Sequence, residues 1–287
     1  MPPAGLQDYT FAFGDFGTVL NSDDMEFPFI DVTSVTGLDN APLRTSTDEH
    51  QGMDGTYVDS PYESMRTVVV AGTLYTDPSD PDTLLDLLKA DYNNNAVRPF
   101  YFQLPGKPLR YVNAQGGGLQ YDISTSRRIG VTPVQFTVLA GDPYIYEHPA
   151  QSVLISVPTL VNVGTGFNMA FNVGFGGSIP NNGATVQNNG THTAYPVITM
   201  TGPLTNPVLI DSVSGLTMNF DITLVGGDVL VVDCRNKSVV LNGTISRRSS
   251  LQGLQWFSVP PGTSETIIFG ASAGTGQATL TMNSTYY

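Results

Sequence analysis

The chain has 287 residues, a single cysteine and a formal net charge of −13. This length suits one large domain or two ordinary ones and buries enough surface that no disulfide or metal is needed for stability. The acidic balance argues against a protein that grips nucleic acid, because phosphate neutralisation needs clustered Lys and Arg. Charged residues make up only 13% of the chain, which favours a surface used for protein contacts.

The sequence shows no recognisable targeting signal. Met1–Pro3 has neither a basic nor an apolar signal region. No run approaches the roughly 20 apolar residues of a membrane span. The sequence therefore predicts synthesis in the cytoplasm and no membrane anchor.

The first half of the chain follows the pattern of β-strands. Thr67–Tyr75 is rich in β-branched residues, and Phe100–Leu104 is a short aromatic strand. Leu109–Ala114 and Leu119–Ile123 flank Gly116–Gly118, which predicts a flexible hairpin tip.

Residues 81–92 are predicted to form one helix. Asp80 can cap it, Pro81 suits the first helical position, and Asp82 favours the positive end of the helix dipole. Apolar residues then recur at helical spacing, and these are Leu84, Leu85, Leu87, Leu88 and Tyr92. We expect this helix to lie across a sheet.

Val134–Glu147 marks the edge of a domain. Its apolar alternation predicts a strand, and Pro143 ends that strand because proline fixes φ and lacks an N–H. From residue 150 to 184 the alternation fades, and Gly, Asn and Phe become frequent. The sequence therefore predicts a β domain over 1–149, a connector over 150–184 and a second domain over 185–287. Phe167, Phe171 and Phe175 would anchor the connector.

The last hundred residues repeat a β signature. Leu216–Val225 alternates apolar and polar residues without a miss. Gly226–Asp228 turns the chain, and Asn242-Gly243 is typical of a tight hairpin. Short strands at this spacing predict an antiparallel β-sandwich.

No constellation of catalytic or cofactor-binding residues stands out. His50, His148 and His192 are far apart, and neither a P-loop nor a G-x-S-x-G motif is present. Asp77, Asp80 and Asp82 lack the spacing of a calcium loop. The sequence therefore predicts no enzyme, no cofactor and no metal site, although a distant pair of carboxylates for glycoside hydrolysis stays open.

Trp256 and Tyr195 are candidate carbohydrate contacts. An exposed tryptophan in a lectin-like sandwich can stack on a sugar, with the nearby tyrosine as a second platform. A lone tryptophan beside a strand is also typical of a core residue. Both interpretations of Trp256 remain open at this stage.

The order of these pieces resembles the distal tail proteins of long-tailed, non-contractile bacteriophages. The resemblance covers nearly the whole chain and includes the helix and the alternating strand at 216–225. Its other motifs are Gly52–Gly55, Arg66–Tyr75, Lys107–Ala114, Phe136–Glu147, Asn188–Gly202, Val225–Asp233, Ser238–Gly243 and Trp256–Gly270.

The resemblance implies a mainly β fold, with a split-barrel-like N-terminal domain carrying one helix and a galectin-like C-terminal sandwich. It implies a homo-hexameric ring at the distal end of the tail in the virion, assembled in the host cytoplasm, through which DNA passes without specific binding. The implied partners are the tail tube protein and the tail-tip hub protein, with the tape measure protein and receptor-binding proteins as further candidates.

Three functions are compared. The first is a structural ring component without chemistry. The second is a carbohydrate-binding adhesion protein that acts through the C-terminal sandwich. The third is a cell-wall hydrolase, for which the residues supply no constellation.

Overall fold

The computed structural model describes residues 6–14, 19–21, 27–49, 53–54, 56–92, 95–157, 183–253 and 255–287. The chain divides into two compact units. Unit 1 comprises Met1–His148 together with Tyr286–Tyr287, and unit 2 comprises Pro149–Thr285. The described residues are mainly β with one α-helix, which confirms the predicted fold class.

Unit 1 holds the helix α1 (Thr83–Tyr92) and a 3-10 helix at Thr125–Ile129. Its strands are β1 (Phe11–Phe13), β2 (Val19–Leu20), β3 (Phe29–Thr36), β4 (Leu43–Arg44), β5 (Thr47–Glu49), β6 (Thr56–Val58), β7 (Tyr62–Glu63), β8 (Arg66–Tyr75), β9 (Arg98–Phe102), β10 (Arg110–Tyr121), β11 (Val131–Ala140) and β12 (Ile145–Glu147).

The main sheet of unit 1 runs in the order β2-β1-β9-β10-β11-β8-β3, and neighbouring strands along it are antiparallel. Strand β11 pairs with β8 over its full length, from Val131 opposite Tyr75 to Ala140 opposite Arg66. Alternate residues of both strands are buried, because successive side chains point to opposite faces. The buried set in these two strands includes Val68, Val70, Leu74, Val134, Phe136, Val138 and Ala140.

Helix α1 covers this apolar face. The Asp80 carboxylate accepts hydrogen bonds from the Thr83 backbone N–H (3.3 Å) and hydroxyl (2.8 Å), as expected for a helix start. The buried residues of the helix are Leu84, Leu85, Leu88 and Tyr92. The prediction for Leu87 is wrong, since its side chain is 58% exposed. At 100° per residue, position 87 points about 115° away from the centre of the buried stripe.

The glycine run at 116–118 is not a hairpin tip, so this prediction is also wrong. Strand β10 continues through it from Arg110 to Tyr121, with a bulge in its pairing with β11 between Gly116 and Gly118. A Cβ on Gly116 would lie 2.0 Å from the Tyr92 carbonyl oxygen. Gly116 is therefore required where the end of α1 meets the sheet, since any side chain would push the helix away.

Unit 2 holds a 3-10 helix at Arg248–Ser250. The remaining strands are β13 (Gln151–Ser156), β14 (Gly183–Gln187), β15 (Val197–Thr201), β16 (Leu204–Asp211), β17 (Thr217–Phe220), β18 (Thr223–Leu224), β19 (Val229–Asp233), β20 (Ser238–Leu241), β21 (Ile245–Ser246), β22 (Leu251–Gln252), β23 (Ser264–Gly274), β24 (Gln277–Met282) and β25 (Thr285–Tyr286), whose Tyr286 belongs to unit 1.

Two six-stranded sheets form the sandwich of unit 2. One runs β13-β24-β15-β19-β20-β21, and the other runs β14-β23-β16-β17-β22 with β18 paired to β16. Their inner faces share one apolar core, in which Ile198, Phe220 and Phe269 are almost completely buried. The Asn242-Gly243 turn joins β20 to β21, as predicted, with both residues at positive φ. This is the backbone that a tight hairpin requires.

Two segments of unit 2 differ from the sequence interpretation. Leu216–Val225 is split into β17 and β18. Its register against β16 shifts by one residue between the Val208–Asn219 and Thr205–Thr223 pairs, where Asn206 has a positive φ. Gln151–Ser156, assigned to the connector from sequence, is strand β13 and pairs with β24. Residues 158–182, with Phe167, Phe171 and Phe175, lie outside the described residues.

Candidate assembly surface and candidate sites

The chain between β3 and β8 forms a two-stranded β-ribbon. Strand β4 pairs with β7, and β5 pairs with β6, each pair forming its own two-stranded sheet. The Asp59 N–H bonds the Ser46 carbonyl between the two pairs (3.1 Å), so they continue one another. We call residues 43–49, 53–54 and 56–63 the arm. Each side runs roughly 20 Å at about 3.3 Å per residue.

The arm exposes large apolar side chains. Leu43 is 62% exposed, Val58 64%, Tyr62 67% and Met53 72%. An isolated two-stranded ribbon is marginally stable in water, and its unpaired edges can pair with another chain. The arm therefore has the properties of an assembly surface. The sequence interpretation missed it, because its four strands are only two or three residues long.

Arg66 fastens the base of the arm to the rest of unit 1. Its side chain is 1% exposed and lies at the start of β8. The guanidinium donates to the carbonyls of Pro143 (2.7 Å), Gly37 (2.9 Å) and Asp39. Burial lowers the pKa of Arg66, while the nearby carboxylates of Glu63 and Asp39 oppose that shift. The chain entering the arm and the turn after β11 are thus held by one cation.

The candidate catalytic and metal-binding residues that the structure describes have structural surroundings, and His50 lies outside the described residues. Among the described residues, no three His, Cys, Asp or Glu side chains cluster as metal ligands. Asp77 instead accepts hydrogen bonds from Ser79, at 2.8 Å from its N–H and 2.7 Å from its hydroxyl. Cys234 is buried, and that burial raises the pKa of its thiol to about 12. In the part of the chain that the structure describes, no helix is long and apolar enough to cross a membrane.

The two predicted carbohydrate contacts lie in different surroundings. Trp256 packs partly buried against the core of unit 2, and the Arg248 guanidinium lies 4.8 Å from its ring centroid. Tyr195 is 38% exposed. The Trp256 ring therefore serves as a support for Arg248, and a sugar-stacking role for either aromatic residue stays a prediction.

Charge is divided unequally between the units. Unit 1 carries 20 of the 25 acidic residues and eight of the 12 basic ones, while unit 2 carries five acidic and four basic residues. Their formal net charges are −12 and −1. The acidic excess of the chain thus belongs almost entirely to the unit that carries the arm.

Comparison of the fold with solved structures gives matches along nearly the whole chain. The crystal structure of the Dit protein of phage SPP1, described as a paradigm of the hub adsorption apparatus in phages infecting Gram-positive bacteria, has a TM-score of 0.62 and 13% identity. That match covers 98% of this chain and 100% of the SPP1 chain. A chain of the phage P2 baseplate in its activated conformation with Ca has a TM-score of 0.52 and 8% identity, covering 96% and 98%.

The fold is thus similar to that of proteins from a phage adsorption apparatus and a phage baseplate. Residues 189–286 match the family model of the siphovirus-type tail component, C-terminal domain. This match covers the C-terminal part of the chain and agrees with the resemblance found in the sequence. No curated protein matches the sequence.

Proposed function

We propose that the chain forms a hexameric ring at the distal end of a phage tail. The ring would join the tail tube to the tail-tip or baseplate complex, and DNA would pass through its lumen. The fold supports this proposal, because the SPP1 protein is described as part of a hub and the P2 chain comes from a baseplate.

The arm is the observation that carries the proposal. A closed ring needs a heterologous contact, in which one surface of a copy binds a different surface of the next. The arm offers exposed Leu43, Val58 and Tyr62 together with free strand edges. Burying each of these side chains against a neighbour would contribute roughly 1.5–3 kcal/mol. A contact of this kind is strong enough to hold adjacent copies when several such residues act together.

The charge distribution supports passage of DNA. Unit 1 has a formal net charge of −12. A strongly acidic wall repels phosphates and provides few of the cations that would retain them. Placing the DNA conduit in unit 1 agrees with its acidic excess.

The proposed partners are the tail tube protein on one side of the ring and the tail-tip hub protein on the other. The tape measure protein and receptor-binding proteins are further proposed partners. Unit 2 is the proposed outward-facing unit, since its near-neutral charge does not require it to face DNA.

Mass photometry and negative-stain electron microscopy of the purified chain test this proposal. We expect particles of six times the 30.7 kDa chain mass and a six-fold ring with a central hole. The double variant Leu43→Asp/Tyr62→Asp should remain a folded monomer, because two charges would be buried at the contact.

Val213→Asp is the matched control, since Val213 is 64% exposed in unit 2 and outside the arm. This variant should still form rings. A wild-type chain that stays monomeric at high concentration, also with the tail-tip partner added, would refute the ring. Rings formed equally well by the double variant would refute the role of the arm.

A further inference from the structure

The four basic residues of unit 2 all lie between positions 235 and 248, namely Arg235, Lys237, Arg247 and Arg248. The fold brings their segments together. The Arg248 guanidinium donates to the Lys237 carbonyl, and the Arg247 N–H bonds the Val239 carbonyl (2.8 Å). Lys237, Arg247 and Arg248 therefore lie close together and form a local cationic surface, even though the net charge of unit 2 is −1.

A cavity of about 340 Å³ opens beside this surface. Its lining comes from two segments, one with Asp221, Ile222 and Thr223 at the β17–β18 junction and the other with Arg247, Ser249 and Ser250. Leu241, which is 9% exposed, supplies an apolar floor. The hydrogen bond from the Asp221 N–H to the Ser250 carbonyl joins these two segments (2.8 Å). The cavity is thus part of the folded scaffold of unit 2.

Asp221 and Arg247 face the same cavity without forming an ion pair. Both side chains are exposed, and none of the ion pairs recorded for the described residues joins Asp221 to Arg247. An occupant would therefore meet a carboxylate that accepts hydrogen bonds and a guanidinium that donates them. The hydroxyls of Thr223 and Ser249 add further polar groups.

This combination selects a particular ligand chemistry. A carboxylate binds neighbouring hydroxyl groups, a guanidinium binds a carboxylate or phosphate in a bidentate manner, and an apolar floor packs against C–H groups. A cavity of this volume lies at the lower end of the range for small-molecule sites. A sugar that carries one anionic group satisfies all three features, and the surrounding cations favour its negative charge.

We propose that this cavity binds a single anionic sugar residue, a uronic acid or a hexose phosphate. Asp221 accepts hydrogen bonds from its hydroxyls, Arg247 pairs with its anionic group, and Leu241 and Ile222 contact its apolar face. Arg248, supported by the Trp256 ring, adds positive charge beside the cavity. The site goes beyond ring assembly and does not depend on it.

Titration of the full-length chain, followed by NMR and isothermal calorimetry, tests the site. The probes are glucuronic acid, galacturonic acid and glucose 6-phosphate, with glucose and inorganic phosphate as comparison ligands. We expect saturable binding of at least one anionic sugar at millimolar concentration, and weaker binding of glucose and phosphate. Arg247→Gln and Asp221→Asn should each weaken that binding about tenfold or more, the effect expected for a lost charge-assisted hydrogen bond.

Lys237→Gln is the matched control, because it removes an exposed cation of the same surface that does not line the cavity. This variant should weaken binding less than about threefold. Equal losses for Lys237→Gln and Arg247→Gln would overturn the site in favour of a diffuse cationic surface. Inorganic phosphate binding as tightly as glucose 6-phosphate, or no binding of any anionic sugar, would also overturn it.

Two further measurements distinguish failure of the sugar site from misfolding and from failure of ring assembly. The Arg247→Gln and Asp221→Asn variants should melt at the wild-type temperature, since both side chains are exposed. Rings counted by electron microscopy report on the proposed assembly alone. Loss of rings with intact sugar binding would refute only the assembly, and intact rings without sugar binding would refute only this site.

Discussion

Replacing Arg66 with Met should destabilise unit 1 and release the base of the arm. The variant keeps an unbranched apolar side chain but removes the cation that joins the carbonyls of Gly37, Asp39 and Pro143. Arg66 is 1% exposed, so water cannot reach all three carbonyls without a local opening. The loss should therefore appear both as lower stability and as faster hydrogen exchange near the arm.

The magnitude follows from the contacts. A hydrogen bond to a charged group contributes about 1.5–3 kcal/mol, and Arg66 makes three. The free energy that the buried guanidinium loses by leaving water offsets part of this sum, and one of its nitrogens, Nη2, has no hydrogen-bond partner. We expect a net loss of about 3–5 kcal/mol in the unfolding free energy of unit 1, similar to the loss of one partner in a buried charged network.

Unfolding in guanidinium chloride can be followed for unit 2 alone, because Trp256 is the only tryptophan and lies in unit 2. Trp256 fluorescence should follow a nearly unchanged transition of unit 2, while hydrogen-exchange mass spectrometry should show loss of protection in residues 37–44. Arg128→Met is the control, since that side chain is exposed, and it should behave as wild type. If unit 1 of the Arg66→Met variant kept wild-type stability and wild-type hydrogen exchange, the role assigned to Arg66 would be refuted.

The other expected outcomes concern backbone packing, protonation and DNA. Gly116→Ala should lower the melting temperature of unit 1, because its Cβ would lie 2.0 Å from the Tyr92 carbonyl oxygen, whereas Gly141→Ala, with open space around it, should not. Burial and the Asp211 carboxylate raise the pKa of Glu265 to about 7. The folded unit therefore holds the Glu265 proton more tightly than the unfolded chain, and the unfolding free energy of unit 2 should fall by about 1–3 kcal/mol between pH 5 and pH 8. Glu265→Gln should abolish that loss when unfolding is followed by Trp256 fluorescence. A gel-shift assay at low salt should show no retention of duplex DNA, and a stable complex would contradict the acidic-conduit proposal.

The sequence predicted those elements that are determined by residues close together in the chain. Asp80 caps α1 because its carboxylate reaches Thr83, three residues away. The Asn242-Gly243 turn needs only two residues at positive φ. Strand β11 follows from the alternation of its own residues, with Val134, Phe136 and Val138 buried. These features could be predicted because the determining residues are close together in the chain.

The missed features depend on residues that meet only in the folded chain. Gly116 lies in a bulged strand and directly against the Tyr92 carbonyl of the helix, and no neighbour of Gly116 in the sequence shows this. Leu87 has the same residue type as its buried neighbours, and only the position of the sheet determines that it is exposed. The cavity in unit 2 unites Asp221 with Arg247 through the backbone at Ser250. Sequence spacing therefore could not reveal it.

The unequal charge of the two units has a consequence for the conditions under which copies meet. If apolar arms hold neighbouring copies together, the acidic units with formal charge −12 repel one another while those contacts form. Dissolved ions shorten the range of that repulsion to about 8 Å at physiological ionic strength. Added salt should then speed ring assembly and promote it at lower protein concentration, the opposite of a complex formed by attraction between unlike charges. The ionic strength of the host interior would act as a permissive signal for construction of the tail.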